Sequence, residues 1–231
     1  GQLRDMLQNH LMQLLCLVAM EPPNTMTAAD IRDEKVKVVR ALRVIDETSV
    51  ADHVVRGQYT SGWYQAEELT GYLELEDADN PQSDTETFVA VKAFIDNWRW
   101  AGVPFYVRTG KRMGEKVTEI VITYKTLAHN IFASHENAPN RLVIRLQPNE
   151  GIEMHMLSKQ HGIEAGTALT PQTLDLNFLS ASGIDRIPDA YERLFLDVFR
   201  ADQSLFVGRE EVEQSWLWCD RLISAWEHNR L

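Results

Sequence analysis

Three groups of residues in this sequence have the types and spacing to do chemistry. The first lies in Arg4-Asp5-Met6-Leu7-Gln8-Asn9-His10, inside a helical pattern. An imidazole shielded from water has its charged form disfavoured and becomes a neutral base near pH 7, provided a polar group holds the other ring nitrogen. Helical spacing predicts a buried His10, and by itself it favours a core histidine bonded to a backbone carbonyl over a base. On an α-helical wheel of about 100° per residue, Asp5 falls roughly 140° from His10, so the two are not expected on one face. The second group is Arg108-Thr109-Gly110-Lys111 with Lys116 beyond it. Lysine is a compact point charge suited to phosphate, and Gly110 permits a tight turn with exposed backbone. The group fits a small anion site or a solvated loop. The third is Arg145 and Gln147, same-face residues ending an apolar strand. Polar groups there need partners, which a ligand or the sheet itself can supply.

Other chemistries lack their residues. There is no Gly-rich nucleotide loop, no P-loop and no Gly-x-Ser-x-Gly elbow. Cys16 and Cys219 sit in apolar, helix-like surroundings and read as buried thiols in a reducing, cytoplasmic setting. No Cys and His spacing suggests a metal, and the tryptophans of the last helix read as core. The chain carries 34 acidic and 23 basic residues, a net charge of -11, which argues against nucleic acid and anionic membranes as partners. Its longest apolar run is too short to span a bilayer. An anionic ligand remains possible, because it responds to local lysines rather than to the sum.

The elements that must position these residues follow from periodicity. Helices are predicted over residues 2–20, 27–45, 189–200 and 210–229. Strands are predicted over 54–60, 86–95, 103–109, 117–125, 141–147 and 151–158, with a further one over 174–178. A polar loop is predicted over 76–85. Short links without crossover helices imply antiparallel pairing. Helices, then strands, then helices is the α+β pattern: one large, mostly antiparallel sheet with helices on one face. With 231 residues, 44% hydrophobic, and no internal boundary, the chain reads as a single domain, 1–231. It opens on Gly1 inside a helical pattern without an initiator Met, so we expect a fragment.

Longer motifs add to this. Leu3-Arg4-Asp5-Met6-Leu7-Gln8-Asn9-His10-Leu11, Ile31-Arg32-Asp33-Glu34-Lys35-Val36-Lys37-Val38 and Gly102-Val103-Pro104-Phe105 resemble the glucose-6-phosphate dehydrogenase family. So do Leu146-Gln147-Pro148-Asn149-Glu150 and Pro188-Asp189-Ala190-Tyr191-Glu192-Arg193-Leu194. The motifs stand in the family's order across nearly the whole chain. The resemblance implies the C-terminal substrate-binding and dimerisation domain, without the N-terminal Rossmann domain. It implies oxidation of glucose 6-phosphate at C1 to the phosphogluconolactone with NADP as cofactor, the first step of the oxidative pentose phosphate pathway. His10 is then the base, Asp5 a ligand of sugar hydroxyls, Lys111 and Lys116 substrate contacts, and Gln147 a further contact. It implies a homodimer or homotetramer through the sheet. Glu153 and His155 stand where human-type members carry a tyrosine and a lysine for a second, structural NADP, so that site is expected to be weakened or missing. The competing expectation is an assembly module with no ligand of its own. A third is a relative acting on another sugar phosphate.

Overall fold

The computed structural model describes residues 1–75, 82–129, 131, 138–161, 169–183 and 188–228. In chain order, a π-wound segment Leu3–Leu11 runs into α1 (Met12–Ala19), followed by α2 (Ala28–Arg40) and α3 (Val50–His53). Strands β1 (Val54–Gly57), β2 (Gly62–Tyr64), β3 (Glu67–Leu69), β4 (Phe88–Phe94) and β5 (Pro104–Gly110) come next. Then follow β6 (Thr118–Thr123), β7 (Arg141–Gln147), β8 (Gly151–Lys159) and β9 (Leu169–Asn177). Helices α4 (Phe178–Ser182), α5 (Ala190–Phe199) and α6 (Arg209–His228) close the chain. The α+β class and the antiparallel pairing are as the sequence predicts. The strands, however, form three ladders instead of one: β1-β4-β5, β2-β3 and β6-β7-β8-β9. The chain also divides into two compact units, Gly1–Arg112 with Arg193–Leu231, and Met113–Glu192.

In the first unit, β4 is the central strand and alternates strictly. Val89, Val91 and Ala93 are buried, while Phe88, Ala90, Lys92 and Phe94 lie on the other face. That is the period of two expected where one face of a sheet is covered. The covering layer is the first helical run and α6, which supply Leu3, Leu7, Leu15, Trp218 and Leu222 to one core cluster. Indole donors lock the layer to the chain around it. Trp218 Nε1 donates to the Arg43 carbonyl and Trp100 Nε1 to the Ala19 carbonyl, each at 2.9 Å. Such partners let large indoles be buried without an orphaned N–H.

Helix α2 starts where Thr27 accepts the Asp30 N–H through its side chain, with Asp30 in the first turn and Lys37 and Arg40 in the last. It stops short of the predicted residue 45. There Leu42 bridges Ile95, and Arg43 makes a two-pronged bond to Asp96 at 3.0 and 2.6 Å. Tertiary pairing with the end of β4 outweighs helical propensity. The β2-β3 hairpin was not predicted. It is exposed throughout β2 and turns through Gln65 and Ala66, both at positive φ, so no Gly or Asn marks it. The polar loop predicted over 76–85 falls partly outside the described residues.

The second unit is built on the four-stranded sheet. Register aligns Ile122, Leu142, Met154 and Leu174 across the four strands, and likewise Ile120, Ile144, Ile152 and Leu176. One face is therefore apolar. The opposite face carries Arg145, Glu153, His155, Thr173 and Asp175. A Cβ on Gly151 would sit 2.5 Å from the Leu176 carbonyl oxygen, so β8 and β9 approach this closely only because that residue is glycine. Strand β9 begins well before the predicted residue 174, although it contains Pro171.

Two outcomes test this packing. Leu222 is fully buried, and Leu222→Ala should lower the unfolding free energy by about 2–5 kcal/mol in urea titration, whereas Trp98→Ala, at a fully exposed turn, should change it by less than about 0.5 kcal/mol. Cys16 and Cys219 are free, and burial pushes both thiols from the ordinary 9.0 up to about 12. Both should resist iodoacetamide at pH 8 in the folded protein and react fully in urea. The folded chain then holds two protons that the unfolded chain releases above pH 9.0. Stability is thus complete below that pH and should decline as pH rises toward 12.

Candidate active site

The first helical run has a burial repeat of five. Gln2 and Leu3 are buried, as are Leu7 and Gln8, and then Met12; Arg4 and Asp5 are exposed, as are Asn9 and His10. An i→i+5 hydrogen-bonded ladder gives that repeat, because it brings residues five apart onto successive turns of one side. At its end the Met12 N–H reaches the Leu7 carbonyl. The π winding corrects two expectations. His10 is exposed instead of buried. Asp5 and His10, roughly 140° apart on an α-helical wheel, emerge on the same exposed side.

The winding is anchored from neighbouring elements. Ahead of β4, the Glu86 carboxylate accepts the Leu3 N–H at 2.9 Å and the Glu86 carbonyl accepts the Gln2 N–H at 3.1 Å. These occupy donors that the first turn of any helix leaves open, and a negative charge is favourable there. The Thr109 hydroxyl donates to Gln2 Oε1 at 3.1 Å, tying the end of β5 to the start of the helix. Arg4 bonds Gln8 Oε1 at 3.3 Å and pairs with Asp220 of α6 at 3.0 Å.

Lys111 follows Thr109 by two residues. Its backbone N–H donates to the Thr87 carbonyl at 2.9 Å, and its side chain is exposed. The first unit thus brings together the helix bearing Asp5 and His10 and the strand end bearing Lys111. Among the described residues, none of these three side chains makes a hydrogen bond or ion pair. They form an acceptor, a base and a cation open to solvent. Such a set can engage a polyhydroxylated anion: carboxylate to hydroxyl, ammonium to phosphate, imidazole to a proton that must leave.

Lys116 lies in the second unit, exposed, before β6. In the same unit Gln147 is exposed at the end of β7, opposite Thr118, and joins Pro148 through a cis peptide bond. Arg145 is taken up by the sheet. It pairs with Glu153 at 2.6 Å and Asp175 at 2.9 Å, and Glu153 in turn meets His155 Nε2 at 2.9 Å, whose Nδ1 faces the Thr173 hydroxyl at 3.2 Å. The choice left open for Arg145 between a ligand and the sheet therefore falls to the sheet. Sequence reasoning missed the anchors Gln2, Glu86 and Thr109. The available signal was a polar Thr-Glu-Thr run directly before an alternating strand. Among the described residues no cluster of His, Cys, Asp or Glu could hold a metal ion, and no helix is long and apolar enough to cross a membrane.

Comparison with known proteins bears on what this arrangement is for. The family model described as glucose-6-phosphate dehydrogenase, C-terminal domain, matches residues 1–231. Glucose-6-phosphate 1-dehydrogenase of Dickeya dadantii is 50% identical over 228 residues, covering 98% of this chain and 46% of that protein. The enzyme of Rhizobium meliloti is 52% identical over 229 residues, with the same two coverages. Among solved structures, a glucose-6-phosphate dehydrogenase in complex with its substrate glucose-6-phosphate superposes with a TM-score of 0.87 at 35% identity, covering 98% of this chain and 45% of that one. The enzyme of Mycobacterium avium superposes at 0.79 and 34% identity, covering 97% and 44%. The chain spans about half the length of the curated relatives it matches. It belongs to the glucose-6-phosphate dehydrogenase family, as that family's C-terminal domain.

Proposed function

We propose that this chain is the substrate-binding and assembly part of an NADP-dependent glucose-6-phosphate 1-dehydrogenase. One observation carries the reading: the π-wound helix presents Asp5 and His10 on one exposed side, with the strand end of Lys111 tied to its start. In this reading Asp5 accepts hydrogen bonds from sugar hydroxyls. Lys111 meets the phosphate; for Lys116 and Gln147, which belong to the second unit, the family resemblance implies substrate contacts. His10 accepts the proton of the C1 hydroxyl, the hydride on C1 would leave to NADP, and the C1–O bond becomes the lactone carbonyl. An exposed imidazole ahead of substrate binding is compatible with this role, since catalytic hydrogen bonds commonly tighten only in the complex.

Among the described residues, every strand pair is antiparallel and no Gly-rich turn opens a helix, so the βαβ unit that cradles a pyrophosphate has no counterpart. The share of the reaction assigned to this chain ends with substrate and proton. Assembly as a homodimer or homotetramer through the sheet belongs to the same proposal and is supported by Leu174 and Leu176, exposed on the apolar face of the second unit. A cytoplasmic setting is supported by the two free thiols.

The purified chain should not reduce NADP with glucose 6-phosphate, and turnover at the rate of a complete dehydrogenase would sink this division of labour. Titration calorimetry should show the chain binding glucose 6-phosphate and Lys111→Ala losing that binding; no heat from the unaltered chain favours a bare assembly module. In the full-length enzyme His10→Asn should lower kcat by about 10²–10⁴-fold, and steady-state kinetics with undiminished turnover would remove His10 from its role.

A further inference from the structure

Three helices of the first unit meet at a charge pair buried almost completely. Lys35 of α2 places Nζ 2.9 Å from Glu211 Oε1 of α6, with the two side chains 5% and 0% exposed. The same ammonium donates to Gln13 Oε1 of α1 at 2.9 Å. Glu211 is itself held: Oε2 accepts the Gly208 N–H at 3.2 Å, and the Ser215 hydroxyl donates to the Glu211 carbonyl at 2.8 Å. Glu211 also sits in the first turn of α6, where the helix dipole favours a carboxylate.

Stability alone is a poor account of this pair. Taking two charges out of water costs several kcal/mol per ion, and well-packed apolar residues of similar volume commonly do as well or better. A buried pair gives direction, which an apolar contact lacks. Lys35 is held against the carboxylate as an ion pair and directs a donor to Gln13, three residues beyond His10 on the same helical run. Glu86 and Gln2 hold the other end of that run, next to Asp5. The π-wound stretch is therefore fixed at both ends by polar contacts, and the bond nearer His10 is the one from Lys35.

We propose that Lys35, held by Glu211, is a positioning residue for His10 and acts through Gln13. It touches neither substrate nor the reacting atoms. The inference rests on the reading of His10 as the base of a glucose-6-phosphate dehydrogenase. Loss of the Lys35–Gln13 bond frees the helix to shift at its His10 end, while Asp5 keeps its own anchors. The effect is expected on kcat and not on KM.

The experiment uses the full-length dehydrogenase, with steady-state kinetics in glucose 6-phosphate and NADP, each rate being normalised to folded protein by circular dichroism. Gln13→Met, which leaves the ion pair in place, should lower kcat roughly 10- to 100-fold with KM within about twofold. Gln13→Glu restores an acceptor for Lys35 and should recover kcat to within about threefold of the unaltered enzyme. The double variant Lys35→Met with Glu211→Leu should match Gln13→Met in kcat while keeping its thermal transition. Unchanged kcat in Gln13→Met overturns the proposal. So does an equal loss in Gln13→Met and Gln13→Glu, which would make packing volume the cause. An unaltered enzyme that does not turn over this substrate pair overturns the functional reading itself, and the positioning role with it.

Discussion

The five-residue repeat of the first helical run is the constraint on which the rest of the site depends. Helices of α winding place side chains at 100° steps, and a stripe of buried residues then forces positions five apart to diverge. Here the core demands Leu3, Leu7 and Met12, and the solvent side receives Asp5 and His10 together. Only i→i+5 winding meets both demands over this stretch. Such winding is rare, because its hydrogen-bond geometry is less favourable, so it persists where its surroundings over-determine it. Glu86 and Gln2 at one end and Gln13 at the other are those surroundings, and both ends are polar contacts with a direction as well as a distance.

Much of the frame was legible in the sequence. The alternation of Val89, Val91 and Ala93 marked β4, Pro22 and Pro23 marked the end of the first helical run, and Thr27 with Asp30 marked the start of α2. Each of these signals is local, and local physics decides it. The misses share a different cause. A helical wheel assumes 100° per residue, so it placed His10 among buried residues and turned Asp5 away from it. No composition signal distinguishes π from α winding, since the winding is anchored by residues that lie 22 to 107 positions away in the sequence. Strand β9 was likewise foreshortened because Pro171 reads as a breaker. It is tolerated there because β9 is the edge of its four-stranded ladder.

The candidate site was legible only through the longer motifs. Spacing alone offered a base or a core histidine at residue 10, an anion site or a loop at Lys111, and a ligand or a sheet partner at Arg145. The structure treats these three differently, and the physics of partners explains why. Arg145 lies within reach of two carboxylates, on β8 and β9, so the sheet holds its terminal nitrogens, although its buried Nε has no hydrogen-bond partner. Lys111 sits at a strand end where its backbone is bonded and its side chain is not. An acidic chain has many carboxylates available to pair with a lysine. A cation left without a partner, at a strand end tied to the helix that bears an open acceptor and an open imidazole, is therefore more informative than its residue type.

That contrast between bonded backbone and open side chain recurs throughout the first unit. Gln2, Gln8, Lys35 and Glu211 are polar residues in the core, and each is bonded or paired. Lys35 and Glu211 lie on neighbouring helices, and Gln2 and Gln8 lie on the inner side of the run that bears Asp5 and His10. Asp5 and His10 lie on its outer side and make no bond. Polar groups inside the fold fix where the helix lies, and those outside stay open to solvent. Preorganisation of this kind needs the fixed set to be inaccessible, because an anchor that water can compete for holds position weakly. The exposed Arg4–Asp220 pair is then a weaker support than the half-buried Gln13 contact to the buried Lys35–Glu211 pair, even though both join the same helical run to α6.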